Sequence, residues 1–283
     1  MKRVGLIGQG LKHSLSAAMQ QAALDHHGLD ARYELWDTQP EEVEQRVASL
    51  RRPDYLGANV TVPHKQAVIP YLDELDAVAT KAGAVNTIVR EGTRLTGHNT
   101  DVVGFARALS EAGFEVGRVR VAVLGAGGAA RAVTLALIEG GAELVSIADA
   151  VPERAAALTG ELRPVAHPHT TLTCTYWGDE AFQRSVRDCG LLVNCTPVGM
   201  RFGPAEGQSP VEAAFIPEGC LAFDLVYNPE ETPFLQAARA RGAQTAGGLS
   251  MLVHQGAASF HLWTGREAPM EVMFRAAREA LEG

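Results

Sequence analysis

Residues 119–130 read VRVAVLGAGGAA, so a run of apolar residues leads directly into a glycine-rich segment. This pattern predicts a buried strand, a tight turn and the start of a helix. Further along the chain, residues 143–149 read ELVSIAD, which predicts a second strand that ends in the carboxylate of Asp149. Together these features make the dinucleotide-binding fingerprint in the context that it requires. A glycine turn in another kind of α/β protein is the alternative explanation.

The small residues of this turn have separate predicted roles. Gly125 allows the tight bend, and Gly127 leaves room for the pyrophosphate on the free N–H groups at the helix start. Ala130 is the third small position, at which helix and strand pack closely. The residues that we assign to the cofactor site here are Gly125, Ala126, Gly127, Gly128 and Ala129.

Asp149 decides which cofactor the sequence favours. Its carboxylate can accept hydrogen bonds from the adenosine ribose hydroxyls, and its charge would repel a 2′-phosphate. We therefore add Asp149 to the cofactor site and expect NAD, with NADP as the less favoured cofactor.

Composition limits the classes of function. The chain has 283 residues, of which 46% are hydrophobic, which is enough for two domains with full cores. The net charge of −8 argues against nucleic acid as a partner. No apolar stretch is long enough to span a bilayer, and glycine breaks the first apolar run, so we expect a first strand rather than a signal peptide. The four cysteines lack C-x-x-C spacing, which predicts the reduced thiols of a cytoplasmic protein and no metal site.

Strand-like and helix-like segments alternate along the whole chain, a pattern typical of α/β folds with parallel strands. We predict two domains. Residues 1–102 form an open α/β domain for substrate binding and catalysis, completed by C-terminal helices over 250–283, and residues 103–249 form an NAD-binding Rossmann domain. Because no linker rich in Pro, Gly or Ser separates the domains, we expect a helix to join them.

Four polar clusters fall at or just after predicted strand ends in the first domain. They are HSLS at 13–16, NVTVPHK at 59–65, NT at 86–87 and NTD at 99–101. Ligands bind at the carboxyl ends of strands in open parallel sheets, so we expect the clusters to meet in one pocket. Hydroxyls, amides, one ammonium and one carboxylate suit a small polyhydroxylated carboxylate as the substrate.

Each of these polar residues also has a purely structural explanation. Ser14, Ser16 and Asp101 could cap helices, and Asn59 could serve a turn. Lys65 could be an ordinary solvated lysine. The position of all four clusters at strand ends in one domain favours a functional interpretation.

Short motifs run in order over nearly the whole chain. They are Ser14-x-Ser16, Asn59-Val-Thr-x-Pro-x-Lys65, Ala84-Val-Asn86-Thr, Asn99-Thr-Asp101-x-x-Gly104, Gly125-Ala-Gly-Gly-Ala-x-Arg131, Asn194-Cys-Thr196-Pro197-x-Gly199-Met200, Asp224-x-x-Tyr227-x-Pro229-x-x-Thr232 and Gly248-x-x-Met251-Leu-Val-x-Gln255. This series resembles the shikimate/quinate dehydrogenase family. Any one motif is modest, but all of them in this order are highly specific.

The resemblance implies an activity and a set of residue roles. Members of the family pass a hydride between a ring carbinol and a nicotinamide. Lys65 and Asp101 match the catalytic pair; our hypothesis is that Lys65 relays the proton and Asp101 orients it, with electrostatic polarisation by Lys65 as the alternative. The positions that match substrate contacts are Ser14, Ser16, Asn59, Thr61, Asn86 and Gln255. Within the later motifs, we assign to the cofactor site Thr196, Val226 and Gly248.

The chain departs from the family pattern at three places. Ala17 and Gln20 stand where Pro and His are usual, and His64 beside the catalytic lysine is either a packing residue or a group that tunes the pH profile. At the second Rossmann strand, residues 148–150 read ADA instead of Asn-Arg-Thr, whose arginine holds the 2′-phosphate in NADP-dependent members. Together with the opening LIGQGL at 6–11, this departure resembles the NAD-preferring branch of the family.

We therefore expect an NAD-dependent shikimate dehydrogenase that interconverts shikimate and 3-dehydroshikimate, with quinate as a candidate second substrate. A dehydrogenase of an amino-substituted or otherwise modified cyclohexene carboxylate is one alternative. A catalytically silent dinucleotide sensor is another, although a sensor has no need for Lys65 and Asp101. Monomer and homodimer stay open, as do a role in aromatic amino acid biosynthesis and one in quinate breakdown.

Overall fold

The structure is a computed structural model that describes residues 1–282. The chain divides into two compact units. Unit 1 comprises Met1–Gly104 and the chain from Leu252 onward, and unit 2 comprises Phe105–Met251. Each unit has a six-stranded sheet with helices, so the predicted α/β class is confirmed.

The elements follow one another in the alternating order expected of this class. Up to the first unit boundary they are β1 (Lys2–Gly8), α1 (Ser16–His26), β2 (Ala31–Asp37), α2 (Val43–Ser49), β3 (Gly57–Val60), β4 (Glu74–Leu75), α3 (Ala77–Ala82), β5 (Thr87–Glu91), β6 (Arg94–His98) and α4 (Asp101–Glu111). Within unit 2 they are β7 (Arg120–Leu124), α5 (Gly128–Glu139), β8 (Leu144–Asp149), α6 (Pro152–Leu162), β9 (Thr171–Tyr176), α7 (Glu180–Arg187), β10 (Leu191–Asn194), β11 (Leu221–Asp224), α8 (Pro233–Ala240) and β12 (Gln244–Ala246). The chain closes with α9 (Gly248–Thr264) and α10 (Met270–Glu282), and the unit boundaries fall inside α4 and α9. Short 3-10 helices lie at Leu11–His13, Pro40–Glu42, Ile69–Tyr71, Arg163–Val165 and Ala213–Phe215.

The sheet of unit 1 has the strand order β2-β1-β3-β5-β6-β4. Strand β1 pairs in parallel with β2 and β3, whereas β5 runs antiparallel to both β3 and β6. Because of this reversal, the start of β5 lies at the same edge of the sheet as the ends of β1, β3 and β6. The segments that follow β1, β3 and β6 and the segment that precedes β5 therefore lie at one edge of the sheet.

The sheet of unit 2 has the order β12-β11-β10-β7-β8-β9, and every pairing in it is parallel. This is the doubly wound order of dinucleotide-binding folds, with its switch point between β7 and β10. The central strands β10 and β11 are buried along their whole length, as expected for strands covered on both faces. Side-chain caps fix where two helices of this unit begin, since Asp179 caps α7 and Thr232 caps α8.

The described residues were predicted to include no membrane span and only reduced cysteines, and two observations concern these predictions. Among residues 1–282, no helix combines the length and the apolar content that a membrane span requires. All four cysteines are free thiols; Cys174 is exposed, and Cys189 and Cys220 are buried.

Helix α9 approaches the sheet of unit 1 so closely that one strand residue must be glycine. A Cβ atom on Gly57 would lie 2.0 Å from the Ile88 carbonyl oxygen and 2.8 Å from Trp263 Nε1. The same indole donates a hydrogen bond of 3.0 Å to the Ile88 carbonyl. The contact therefore joins β3, β5 and α9 with no room for a side chain.

We expect Gly57→Ala to lower the free energy of unfolding by about 1–3 kcal/mol, because the added methyl group must displace backbone and indole. Gly160→Ala is the matched control: Gly160 is exposed within α6, a Cβ there meets no atom within 4 Å, and alanine should raise stability by up to about 1 kcal/mol. Urea unfolding of both variants checks this. Equal stability of Gly57→Ala and the unaltered protein would contradict the proposed close contact.

Candidate active site

The four polar clusters meet at one edge of the unit 1 sheet, for the topological reason given above. Residues 13–16 follow β1, residues 61–65 follow β3, residue 86 precedes β5 and residues 99–101 follow β6. Hydrogen bonds tie three of these segments, residues 59–65, 86–87 and 99–101, into one network.

Lys65 and Asp101 form a short ion pair in which the Lys65 Nζ atom lies 2.6 Å from Asp101 Oδ2. The two side chains are only 12% and 6% exposed. Asp101 starts α4, and its backbone N–H donates to Asn99 Oδ1 over 3.1 Å. An ammonium and a carboxylate held together out of bulk solvent interact more strongly than a surface pair, so this is the most polarised point of the cluster.

Asn86 holds the other side of the Asp101 carboxylate. Its Nδ2 atom donates to Asp101 Oδ1 over 2.8 Å and to Thr100 Oγ1 over 2.8 Å. Its Oδ1 atom accepts from the Thr100 backbone N–H over 2.7 Å, which fixes the orientation of the amide. Gln255 on α9 also contacts Asn86, with 3.3 Å between Gln255 Oε1 and Asn86 Nδ2. The structure therefore brings together four of the predicted site residues: Lys65, Asp101, Asn86 and Gln255.

Asn59 lies at the buried end of the same network. It occupies β3, and its Nδ2 atom is 3.2 Å from the Asn86 carbonyl oxygen. Its Oδ1 atom accepts from Tyr33 on β2 over 2.8 Å, and its Nδ2 atom also donates to Ser259 on α9 over 3.0 Å. Sequence reasoning missed Tyr33 and Ser259, because neither belongs to a motif.

Ser14, Ser16 and Thr61 complete the predicted substrate set. The Ser16 backbone N–H donates to Ser14 Oγ over 3.3 Å, but the N-cap position of α1 is Leu15, and that helix start has no side-chain cap. Thr61 lies beside β1, where its backbone N–H donates to the Ile7 carbonyl over 2.8 Å. Ser14 and Thr61 are partly exposed, whereas Ser16 is buried.

His64 is buried, and its Nε2 atom lies 2.7 Å from the Thr38 carbonyl oxygen. Because a carbonyl can only accept, this nitrogen carries the proton and donates. The bond ties the Lys65 loop to the segment after β2. His64 therefore anchors the loop that carries the lysine.

The glycine turn of unit 2 has the shape that a pyrophosphate requires. Gly125 has φ +102°, and a Cβ atom there would lie 3.1 Å from Thr196 Cγ2. Gly127 precedes α5 without any side-chain cap, and a Cβ atom on Gly127 would point into open space. The first N–H groups of a twelve-residue helix therefore face a cradle that a side chain would fill. These residues fit the phosphates of a dinucleotide.

Both carboxylate oxygens of Asp149 accept hydrogen bonds from backbone N–H groups. Oδ2 accepts from the Ala126 N–H over 2.8 Å, and Oδ1 accepts from the Val151 N–H over 2.9 Å. The first bond links the end of β8 to the glycine turn after β7. The carboxylate thus stabilises the turn itself.

A second buried network, unassigned by the sequence analysis, lies at the ends of β10 and β11. The Asp224 carboxylate accepts from Asn194 Nδ2 over 2.9 Å, from the Val226 N–H over 3.0 Å and from the Thr232 hydroxyl over 2.6 Å. Asn194 Oδ1 in turn accepts from the Thr196 N–H over 3.0 Å. The network therefore shapes the loops that carry Thr196 and Val226, two of the predicted cofactor residues.

Burial raises the pKa of Asp224 to about 6, and its hydrogen bonds from Thr232, Val226 and Asn194 oppose that rise. A sequence signal for this network was present: Asn194 and Asp224 both end apolar runs, where a buried polar residue requires an explanation.

Gly248, also predicted for the cofactor site, lies against the loop after β11, since a Cβ atom there would be 2.2 Å from the Leu225 carbonyl oxygen.

Two family models and a named relative match this chain. A model described as the shikimate dehydrogenase substrate binding domain matches residues 6–88, and one described as the shikimate 5'-dehydrogenase C-terminal domain matches residues 248–278. A relative from Moorella thermoacetica named shikimate dehydrogenase (NADP(+)) is 45% identical over 98% of this chain and 93% of its own length. This chain belongs to the shikimate dehydrogenase family.

Solved structures of family members agree over the whole chain. Shikimate 5-dehydrogenase from Thermus thermophilus, in complex with NADP(H) and shikimate, is 40% identical with a TM-score of 0.87, covering 99% of this chain and 100% of that one. Quinate dehydrogenase from Corynebacterium glutamicum, in complex with NAD, is 33% identical with a TM-score of 0.88, covering 98% and 99%.

The expectation of NAD as the cofactor is wrong. The Moorella relative and one from Methanopyrus kandleri, 44% identical over 98% of this chain and 95% of its own length, are both named for NADP(+). The physical reason lies in Asp149, whose two oxygens already accept hydrogen bonds from the Ala126 and Val151 N–H groups. A carboxylate that stabilises the glycine turn is weak evidence for ribose binding, whatever its place in the sequence.

We expect Asp224 to make stability depend on pH. Its pKa of about 6 in the folded protein exceeds the ordinary 3.8, so between these values the folded state retains a proton that the unfolded state releases. The free energy of unfolding should therefore fall by about 2 kcal/mol as the pH rises from about 4 to about 7.

Asp224→Asn should remove this fall, because asparagine is neutral, keeps an acceptor for the two N–H donors and can donate to Thr232. Urea unfolding at about pH 4 and about pH 7 measures the difference in both proteins, and subtraction cancels the other groups. The same pH dependence in protein and variant would show that Asp224 is not the source.

Proposed function

We propose that this chain is a shikimate dehydrogenase that uses NADP(H), with unit 1 as the substrate domain and unit 2 as the cofactor domain. The observation that supports this most strongly is the buried Lys65–Asp101 pair, set among amide and hydroxyl groups at one sheet edge. A binding module has no need for such a pair, which argues against a silent sensor.

When bound, the dinucleotide supplies or accepts the hydride at the ring carbon of the substrate. Lys65 handles the accompanying proton: in the reductive direction its ammonium donates to the carbonyl oxygen, and in the oxidative direction its amine takes the hydroxyl proton. Asp101 orients the Nζ atom through the 2.6 Å contact. We propose that Ser14, Ser16, Asn59, Thr61, Asn86 and Gln255 contact the substrate.

We expect Lys65→Met to lower kcat by about 100- to 10,000-fold with little change in the dissociation constant for shikimate, because it removes the proton carrier. Lys65→Arg separates the two roles: arginine stays charged, so it should also be slow if Lys65 relays a proton and active if Lys65 only polarises the oxygen. Lys2→Met, at an exposed lysine, is the control. Turnover of Lys65→Met near that of the control would remove Lys65 from the mechanism.

Arg154 is the cation that we propose for the 2′-phosphate of NADP. It lies in the first turn of α6, just beyond Asp149 at the end of β8. Its guanidinium is exposed and forms no ion pair with any described residue. A free guanidinium near a helix start is a strong binder of a dianionic phosphate.

Initial rates with shikimate and quinate, each with NADP and NAD, test substrate and cofactor together. We expect NADP to be preferred, and Arg154→Ala to raise the KM for NADP about tenfold or more while leaving the KM for NAD unchanged. Arg163→Ala, an exposed arginine at the far end of α6, should change neither. Equal use of both cofactors by the unaltered enzyme would refute the NADP proposal and leave the fold untouched.

A further inference from the structure

The Asn59 carboxamide is buried, so its neighbours decide which end is available as a donor or an acceptor. Its nitrogen lies 3.2 Å from the Asn86 backbone carbonyl oxygen, 3.0 Å from Ser259 Oγ and 3.2 Å from Thr87 Oγ1. A carbonyl oxygen can only accept, so the nitrogen end must face Asn86. The oxygen end of Asn59 is therefore directed to the opposite side.

On that opposite side, the Tyr33 hydroxyl donates to Asn59 Oδ1 over 2.8 Å. Tyr33 is 5% exposed and occupies β2, an edge strand of the sheet. Burial raises the pKa of the Tyr33 phenol above its usual range, so the hydroxyl stays protonated and remains a donor.

Tyr33 on β2 thus contacts Asn59 on β3 through a buried hydrogen bond. We propose that Tyr33 is a positioning residue for the dehydrogenase reaction: its hydroxyl holds the Asn59 carboxamide, so that the amide faces the substrate in one geometry. This inference rests on the proposed function, in which Asn59 contacts shikimate.

The Tyr33 ring has a separate structural role. It packs against Trp263, with 6.3 Å between the ring centroids. Tyr33→Phe keeps this packing and removes only the hydroxyl, so the variant should fold. The loss then leaves Asn59 Oδ1 without its donor and allows the amide to move.

We expect Tyr33→Phe to raise the KM for shikimate about fivefold to tenfold, with kcat within about twofold of the unaltered enzyme, because the hydroxyl acts on binding geometry. The matched control is Tyr55→Phe. Tyr55 is also buried in unit 1, and its hydroxyl accepts from Arg3 Nη1 over 2.9 Å at the start of β1. Both variants should lose some stability to urea, but only Tyr33→Phe should change the KM.

A double-mutant cycle shows whether the effect passes through Asn59. If it does, adding Tyr33→Phe to Asn59→Ala should change the KM by less than about twofold. An unchanged KM in Tyr33→Phe, an equal change in Tyr55→Phe, or full additivity with Asn59→Ala would each overturn the inference. Failure of the unaltered protein to oxidise shikimate would overturn the proposed function as well. Because the Tyr33 results concern only the variants, the two failures can be distinguished.

Discussion

The buried contact between Lys65 and Asp101 is the constraint on which the rest of unit 1 depends. A buried ion pair is tolerated only when the remaining acceptors are also satisfied. Asn86 supplies that hydrogen bond to the second Asp101 oxygen, and Thr100 fixes Asn86 through its backbone N–H. Asn86 in turn contacts Gln255 on α9, so the network extends to that helix. The reversal of β5 is what makes this possible, because it brings Asn86 to the edge where β3 and β6 end.

The buried or partly buried carboxylates of the two units accept hydrogen bonds from different sets of donors. In unit 1, the Asp101 carboxylate is held by side chains and remains beside an ammonium. In unit 2, Asp149 is held by two backbone N–H groups, and Asp224 by one backbone N–H, one amide and one hydroxyl. Both carboxylates shape loops. A carboxylate near a strand end can thus pair with a cation or serve as an acceptor that shapes a loop. The difference lies in the partners that surround the carboxylate.

That distinction explains where prediction from sequence succeeded and where it did not. The α/β class and the family followed from motifs whose residues are close in the chain. The cofactor prediction was wrong because it used the charge of Asp149 without its partners, which include the N–H of Ala126 in another segment. Lys65 and Asp101 are in contact across 36 positions. The strand-end pattern predicted that their clusters would meet, and the family resemblance predicted that these two residues form a pair.

The sequence by itself determined the strands, the glycine turn and the helix starts, because apolar periodicity, backbone freedom and side-chain caps act between residues a few positions apart. Only the tertiary structure decided which buried polar groups meet. Tyr33 and Asn59 are 26 positions apart and Asn59 and Ser259 are 200 apart, and none of these residues shows its partner in its own segment. The physical reason is that a buried hydrogen bond is set by where the chain brings donor and acceptor, and that depends on the packing of the whole unit.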